Sequence, residues 1–423
     1  MQLEKPKLFL DSRTFIITLS ALAFILIFRL FIEYQAYQKF ITKPFYFTWV
    51  SVLKSDQKVK NAQTYQVLKV TSDEGLHFYT TLYEDQKLQH RRLRLQIFPD
   101  TQIRFIDYLG TFYVKSRIRD RELLADTAKD TLVKKVQAQH ENSAIASFYN
   151  AIFFATPLQE RLREKVSLLG ISHLVALSGF HLGILWGLVY SVLLVLYKPL
   201  QQRFFPYRYA LIDVGIVTIV SLGYYVWFVG VPDSLLRSYA MVLVGWLVIL
   251  LGVELLSFTF LTTIVMALMV LFPSLILSLG FILSVAGVFY IFLLLQYTKT
   301  LNVKVVSLVV IPFGIFILML PIVHTFFAQI SGYQLLSPLL SLVFIPFYPL
   351  VIVLHLFGFG GLLDGVLEAL FSLPQGGKEV LLPLWFTLVY SGLSLGAIWV
   401  RKLFWVLVSV AWLNMFYLFV FIE

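Results

Sequence analysis

The sequence predicts a mainly α polytopic membrane protein of about ten transmembrane helices, carrying one small all-β domain outside the membrane. Three observations predict it. Hydrophobic residues make up 59% of the 423 and charged residues 14%, with a mean hydropathy of +0.80. A soluble domain is roughly half apolar and a quarter charged. Apolar runs of about 20 residues, each able to cross a ~30 Å hydrocarbon core, recur from Ile171 to the C-terminus. Between the first apolar run and these lies a charged stretch, Lys54 to about Lys135, with no run of membrane length.

The chain opens on a polar leader with Lys5, Lys7 and Arg13, then an apolar run from Thr14 to Ile32. The run is too long for a typical signal-peptide core, and no small-residue cleavage site follows it. Residues 1–34 therefore read as a cytoplasmic tail and a retained first membrane helix, with Arg29 snorkelling at its far end.

Residues 35–120 read as a small extracytoplasmic β domain. Alternating stretches occur at Tyr65–Val70, Leu76–Leu82, Leu93–Phe98, Gln102–Ile106 and Tyr108–Val114. Arg92-Leu93-Arg94-Leu95-Gln96-Ile97 alternates strictly, as a half-buried strand does. Ser72-Asp73-Glu74-Gly75, Glu84-Asp85-Gln86 and Pro99-Asp100 supply turns. Five short strands in this length suit a small closed barrel, and an OB-fold-like domain is the natural candidate.

This segment is basic and aromatic. Lys69, Lys87, Arg91, Arg92, Arg94, Arg104, Lys115, Arg117 and Arg119 interleave with Phe78, Tyr79, Tyr83, Phe105, Tyr108, Phe112 and Tyr113. Cations that track phosphates and rings that stack on bases hold single-stranded DNA in this way. Arg91, Arg92, Arg94, Arg104, Lys115, Tyr79 and Phe112 are the candidate contacts. The plain alternative is that the rings fill the barrel and the charges solvate it. The net charge of +10 has the same two readings, positive-inside bias or a polyanion partner.

Residues 121–167 read as amphipathic helices on the membrane surface, or a connecting helical hairpin. One stripe is Leu123, Leu124, Ala128, Leu132 and Val136; a more apolar one is Ile145, Phe148, Tyr149, Ile152 and Phe153. Residues 168–423 hold nine further candidate spans: 171–197, 209–229, 235–252, 258–272, 275–297, 305–323, 335–356, 381–400 and 403–421. With the N-terminus inside, the loops holding Lys198, Arg203 and Arg208, and Lys299 and Lys304, also fall inside, as the positive-inside rule asks. Phe357-Gly358-Phe359-Gly360-Gly361 and a short helix near Asp364–Leu373 read as a loop or a re-entrant segment.

Among the membrane segments, a single stretch stands apart. Leu168 to Leu188 is apolar yet carries His173, Ser178 and His181, with Gly170, Gly179, Gly183 and Gly187. Ionisable groups at membrane depth face a polar cavity or a partner, and glycines loosen a helix or admit a close neighbour. Asp233 and Arg237, four apart at a helix start, suit either a helix-orienting ion pair or an arginine facing phosphate. Asp213, His324 and His355 lie at helix ends and read as interfacial groups.

Several chemistries find no support. With no cysteine, disulfides, thiolate metal sites and cysteine nucleophiles are excluded. His173 and His181 would lie roughly 80° apart on a straight helix, poor for one metal. There is no HExxH, nucleophile elbow or GxxxxGK[ST]. No cofactor, metal or enzymatic activity is expected.

Gly170-Ile171-Ser172-His173-Leu174-Val175-Ala176-Leu177-Ser178-Gly179-Phe180-His181-Leu182-Gly183 resembles the signature of the ComEC-type competence proteins. Ser234-Leu235-Leu236-Arg237-Ser238-Tyr239-Ala240-Met241 is similar to that family's S-x-[LV]-R-[AS]-x-x-M segment. Leu279-Gly280-Phe281-Ile282-Leu283-Ser284 resembles its G-F-Q-L-S segment, with Ile282 where glutamine is usual, and Phe326 to Pro349 follows its late pattern. The resemblance implies an inner-membrane channel that carries one strand of transforming DNA into the cytoplasm. Many members carry a C-terminal metallo-β-lactamase-like domain. This sequence stops at Glu423 just after a helix, so a short, channel-only form is expected, with strand degradation left to another protein.

His173, Ser178, Gly179, His181, Gly183 and Arg237 are thus the candidate lining of a DNA path, with Gly170, Gly179 and Gly183 permitting the helix break. The expected partners are single-stranded DNA, membrane lipids, a periplasmic DNA receptor and a cytoplasmic motor or DNA-binding protein; self-association is compatible. Two other classes stay open. A secondary transporter of a small solute should show inverted repeats. A membrane enzyme acting on a lipid-linked substrate would use His173 and His181 as acid and base.

Overall fold

The computed structural model describes residues 9, 11–60, 63–83, 91–123, 127–250, 257–373 and 376–421. The chain divides into two compact units, one of residues 9–127 with 262–279, the other of residues 128–261 with 280–423.

The first unit begins with helix α1 (Ser12–Ile41), capped by the Asp11 carboxylate, which accepts from the Thr14 amide at 2.7 Å. The apolar run accounts for its length. Its last turns are amphipathic and belong to the β domain: the Tyr37 hydroxyl donates to the Ile103 carbonyl at 2.7 Å, and Phe40 packs into the barrel core.

Six strands follow: β1 (Tyr46–Lys60), β2 (Gln63–Ser72), β3 (His77–Leu82), β4 (Arg91–Phe98), β5 (Phe112–Tyr113) and β6 (Lys115–Leu123), with helix α2 (Phe105–Leu109) before β5. The sheet order is β5-β3-β2-β1-β4-β6, and β5 pairs β3 in parallel while the other pairs are antiparallel. β5 and β6 are separated by Val114 alone, and its amide donates to the Tyr79 carbonyl at 3.0 Å. The Thr80 and Ser116 hydroxyls bond at 2.7 Å. One bent strand therefore joins β3 to β4, and the two edges of the sheet meet, which removes exposed edges. Val50, Leu68, Val70, Phe78, Leu93, Leu95 and Ile97 fill the interior with no exposed surface.

Two strands escape a local reading. β1 and β6 have aromatic or charge-rich sequences without clean alternation at their far ends, and long-range pairing selects them. Gln102–Ile106, expected as a strand, is a turn leading into α2, and residues 121–123, expected as helix, end β6. The turn expected at Glu84-Asp85-Gln86, like Lys87, lies outside the described residues.

The second unit is helical: α3 (Ala128–Gln137), α4 (Ser143–Phe154), α5 (Glu160–Leu168), α6 (Ser172–Val175), α7 (Gly179–Phe204), α8 (Ala210–Phe228), α9 (Asp233–Leu250) and the start of α10 (Phe258–Leu271). Then come α11 (Leu279–Tyr297), the short α12 (Val303–Val305) running through a π turn into α13 (Ile311–Phe326), α14 (Ser337–Leu356), α15 (Asp364–Ser372), α16 (Leu384–Gly396) and α17 (Arg401–Phe416). A two-stranded ribbon pairs β7 (Gln329–Ile330) with β8 (Lys378–Glu379).

Among the described residues seven helices are long and apolar enough to cross a membrane: 12–41, 179–204, 210–228, 279–297, 303–326, 332–356 and 401–420. The three other spans expected from sequence, near 235–252, 258–272 and 381–400, correspond to shorter apolar helices. The chain is a polytopic membrane protein.

α4 departs from the surface-helix reading. Nine of its residues from Ile145 to Phe154 are buried, and with α5, α14 and α15 it forms the largest apolar cluster. α11, α13, α16 and α17 form another. Two tyrosine hydroxyls inside that cluster find backbone acceptors, as hydrocarbon demands: the Tyr390 hydroxyl donates to the Leu318 carbonyl at 3.0 Å, and the Tyr297 hydroxyl to the Ala397 carbonyl at 2.6 Å. α8 approaches α9 through glycines; a Cβ on Gly215 would lie 2.0 Å from the Trp246 ring.

Candidate functional site

The glycine-rich motif forms a break between two helices. α6 ends at Val175, Ala176 is extended, and α7 starts after Ser178. The break therefore precedes Gly179. Gly170 sits at φ +67, and a Cβ there would meet the Gln334 side chain at 3.3 Å. Gly183 lies inside continuous α7 with nothing within 4 Å of a built Cβ. Of these glycines, Gly170 is the one whose φ excludes an ordinary side chain.

Ser178 and His181 start α7 together. The Ser178 hydroxyl accepts from the Phe180 amide at 3.3 Å, and His181 Nδ1 accepts from the Ser178 amide at 3.4 Å, a reciprocal cap. His181 has no exposed surface; its ring packs edge-on against Phe344 (5.1 Å) and Tyr348 (5.0 Å) of α14, and its buried Nε2 has no hydrogen-bond partner. His173, in α6, is exposed, and its Nε2 lies 3.2 Å from the Ser341 hydroxyl. The same hydroxyl lies 2.8 Å from the Ser337 carbonyl, to which it donates. The break places the two histidines in opposite settings, one open and one sealed.

The Ser234–Met241 segment comes to the same place. Ser234 Oγ donates to the Leu177 carbonyl at 2.7 Å, satisfying an acceptor that the break leaves without a helical partner. Ser238 faces Gly179, where a Cβ would lie 3.2 Å from its Oγ. α7 and α9 start side by side, and Trp186 and Trp246 stand 5.4 Å apart, each about two turns beyond the Gly179–Ser238 contact, so the two helices run parallel. Two helix N-termini, each with partial positive charge, thus meet at the break. Arg237 is half-buried in the first turns of α9. α14 closes a third side, its Ser337 hydroxyl donating to the Gly170 carbonyl at 3.0 Å.

In the barrel the candidate residues divide between surface and core. Phe112 is 3% exposed and stacks on Phe78 at 5.5 Å, so this expected base-stacking ring is a core ring. Tyr79 is 38% exposed, pairs in register with Lys69 and lies beside the exposed Tyr113. Arg94 is exposed over the Phe47 ring (5.8 Å) and Arg92 lies over Trp49 (5.4 Å) while bonding Asp73. Arg91 is partly exposed and Lys115 exposed. Arg104 bonds Asp107 at 3.0 Å, and this pair holds the Asp107 carboxyl below its ordinary value. Phe47 and Trp49 escape sequence reasoning because β1, which carries them, lacks the alternation that marks a strand.

Asp213 accepts two bonds from the Arg208 guanidinium at 2.8 Å and one from the Tyr197 hydroxyl at 2.6 Å, closing the α7–α8 loop. Among the described residues no group of three His, Asp or Glu side chains is arranged to hold a metal.

The family model described as Competence protein matches residues 155–423, which include the break, α9 and α14. No curated protein and no solved structure matches the chain. With the signature residues gathered around one break inside the matched region, the chain belongs to the competence protein family.

Proposed function

We propose that this protein conducts single-stranded DNA across the cytoplasmic membrane during natural transformation. Membership of the competence family supports a role in DNA uptake, and the observation that carries the finer reading is the break at Ala176–Ser178. There two parallel helices present their N-termini, with exposed His173 on α6 just before the break and half-buried Arg237 on α9. A DNA strand bears one charge per nucleotide and needs a wet, cationic or polar route. Helix N-termini and donor side chains suit its phosphates.

In this reading the barrel is an OB-fold-like domain outside the membrane that receives the strand. The parallel β3–β5 pair, the closed order and the basic, aromatic surface of Tyr79, Tyr113, Lys69, Lys115, Arg91 and Arg94 support that role. The N-terminus is cytoplasmic, a periplasmic receptor hands over the DNA, and a cytoplasmic motor or DNA-binding protein supplies direction. The chain itself acts as a conduit and not as an enzyme.

The test is transformation frequency in cells lacking the gene, complemented with wild type, His173→Ala, His181→Ala or Arg237→Ala, with labelled DNA followed in periplasm and cytoplasm. DNA stalled in the periplasm in the deletion, and in well-expressed His173→Ala and Arg237→Ala cells, is the expected result. Intact transformation in the deletion overturns the proposal and favours a solute transporter or a lipid-directed enzyme.

A further inference from the structure

A second polar cluster lies away from the break, where the α3–α4 loop meets the end of α14 and the start of α15. His140 Nδ1 faces both oxygens of Asp364, at 3.0 and 2.9 Å. Its Nε2 lies 3.0 Å from His355 Nε2, and His355 Nδ1 lies 2.6 Å from the Val351 carbonyl. The four groups form one chain of contacts: Asp364, His140, His355, Val351. The His140 side chain is wholly buried and His355 is 9% exposed. The Tyr149 ring lies flat on His140 at 4.6 Å and against His355 at 4.5 Å.

Gln139 ties the same elements together, donating to the His355 carbonyl at 3.2 Å and accepting from the Gly360 amide at 2.9 Å. A Cβ on Gly360 would lie 2.6 Å from Gln139 Oε1 and 2.7 Å from His355 Nε2. The glycine-rich stretch after α14 is thus shaped by the close approach of these two side chains.

Counting hydrogens decides what this chain can be. A neutral imidazole carries one hydrogen, and a carboxylate carries none. His355 must donate through Nδ1 to the Val351 carbonyl, so its Nε2 offers a lone pair. His140 must then donate through Nε2, which leaves its Nδ1 lone pair against the Asp364 carboxylate. Moving either hydrogen only moves the conflict to another link. One added proton removes it, either as a His140 imidazolium on a carboxylate or as a protonated Asp364 donating to a neutral His140.

We infer that Asp364, His140 and His355 form a proton-binding site whose occupancy latches the end of α14 and the start of α15 to the α3–α4 loop. With the proton bound every link is a hydrogen bond. Without it one buried link sets two acceptors face to face, and the latch opens. Other ionisable groups on the packed elements are arranged elsewhere. Glu368 of α15 accepts from Asn142 at 2.7 Å, Lys165 of α5 donates to the Phe371 carbonyl at 2.7 Å, and Lys135 and Glu141 are exposed. The Tyr149 hydroxyl of α4 is buried without a hydrogen-bond partner, and Tyr348 of α14 donates to the Ile152 carbonyl at 3.2 Å. The inference does not rest on the DNA-conduit reading.

The test is amide hydrogen exchange of the full chain in lipid nanodiscs, from about pH 6 to about pH 9, corrected for the intrinsic exchange rate. Protection of peptides covering 139–142 and 355–364 should fall about tenfold or more as pH rises, the effect of one broken buried link. Barrel peptides around Val70 serve as the control. In Asp364→Asn the amide donates to His140 Nδ1 and completes the chain with no extra proton, so protection should stay high across the range. In His140→Ala it should be low at every pH. Wild-type protection that ignores pH, or Asp364→Asn or His140→Ala profiles with the wild-type pH dependence, would overturn the inference.

Discussion

Ser234 Oγ donates to the Leu177 carbonyl at 2.7 Å, joining the start of α9 to the break that precedes α7. Leu177 is buried, so its carbonyl depends on this protein donor. Ser234→Ala should cost about 1–3 kcal/mol, the penalty of a buried unsatisfied acceptor. Thermal unfolding of the purified protein in nanodiscs checks it. Ser234→Thr keeps the hydroxyl and should recover most of the loss; equal melting of wild type and Ser234→Ala would deny the bond.

The glycines of the motif should separate by conformation. Gly170→Ala forces a left-handed residue to carry a Cβ 3.3 Å from Gln334, a cost of roughly 1–2 kcal/mol. Gly183→Ala adds a methyl into open space inside α7 and should be neutral or stabilising by up to ~1 kcal/mol. A lower melting temperature for Gly170→Ala and an equal or higher one for Gly183→Ala are the expected outcome. A destabilised Gly183→Ala would show that α7 needs flexibility there.

Core and surface rings of the barrel predict different phenotypes. Phe112→Ala opens a cavity beside Phe78 and should cost about 3–5 kcal/mol, read as lost protection of barrel amides. Tyr79→Ala should leave those amides protected and weaken single-stranded DNA binding by about 1–3 kcal/mol, the range for one stacked base. Fluorescence anisotropy with a labelled oligonucleotide measures it. Unchanged affinity in Tyr79→Ala would remove that ring from the binding face.

Acid should loosen the Ser72–Gly75 turn of the barrel. Burial alone would raise the Glu74 carboxyl, but Thr48 and Tyr46 donate to it at 2.5 and 3.0 Å and leave its pKa lowered from 4.5. A carboxyl depressed in the folded state contributes stability above its unfolded pKa and loses it as pH falls through the folded value. Barrel stability should therefore decline below about pH 4.5, and Glu74→Gln should flatten that decline. A wild-type acid limb unchanged in Glu74→Gln would assign the loss to other carboxyls.

Membrane class, the first helix, most spans and the motif are legible in the sequence because hydropathy and its period are local properties of a chain. So is the apolar stripe of α4, although its depth is not: the same stripe serves a helix on a membrane surface or one at the centre of a cluster. β1 is invisible there because Tyr46–Lys60 takes its strand character from pairing with both β2 and β4, contacts that no window contains.

The sequence by itself determined that this chain lives in a membrane, carries a small basic β domain and bears a broken, histidine-containing helix related to competence proteins. Only the tertiary structure decided which rings face outward, that His181 is sealed while His173 is open, and that Leu177 is satisfied from α9. It alone assembled His140 with His355 and Asp364, 215 and 224 residues away. The reason is physical. Hydropathy acts on each segment separately, whereas a buried polar group is defined by its partner, and partners distant in the chain meet only once the helices have packed.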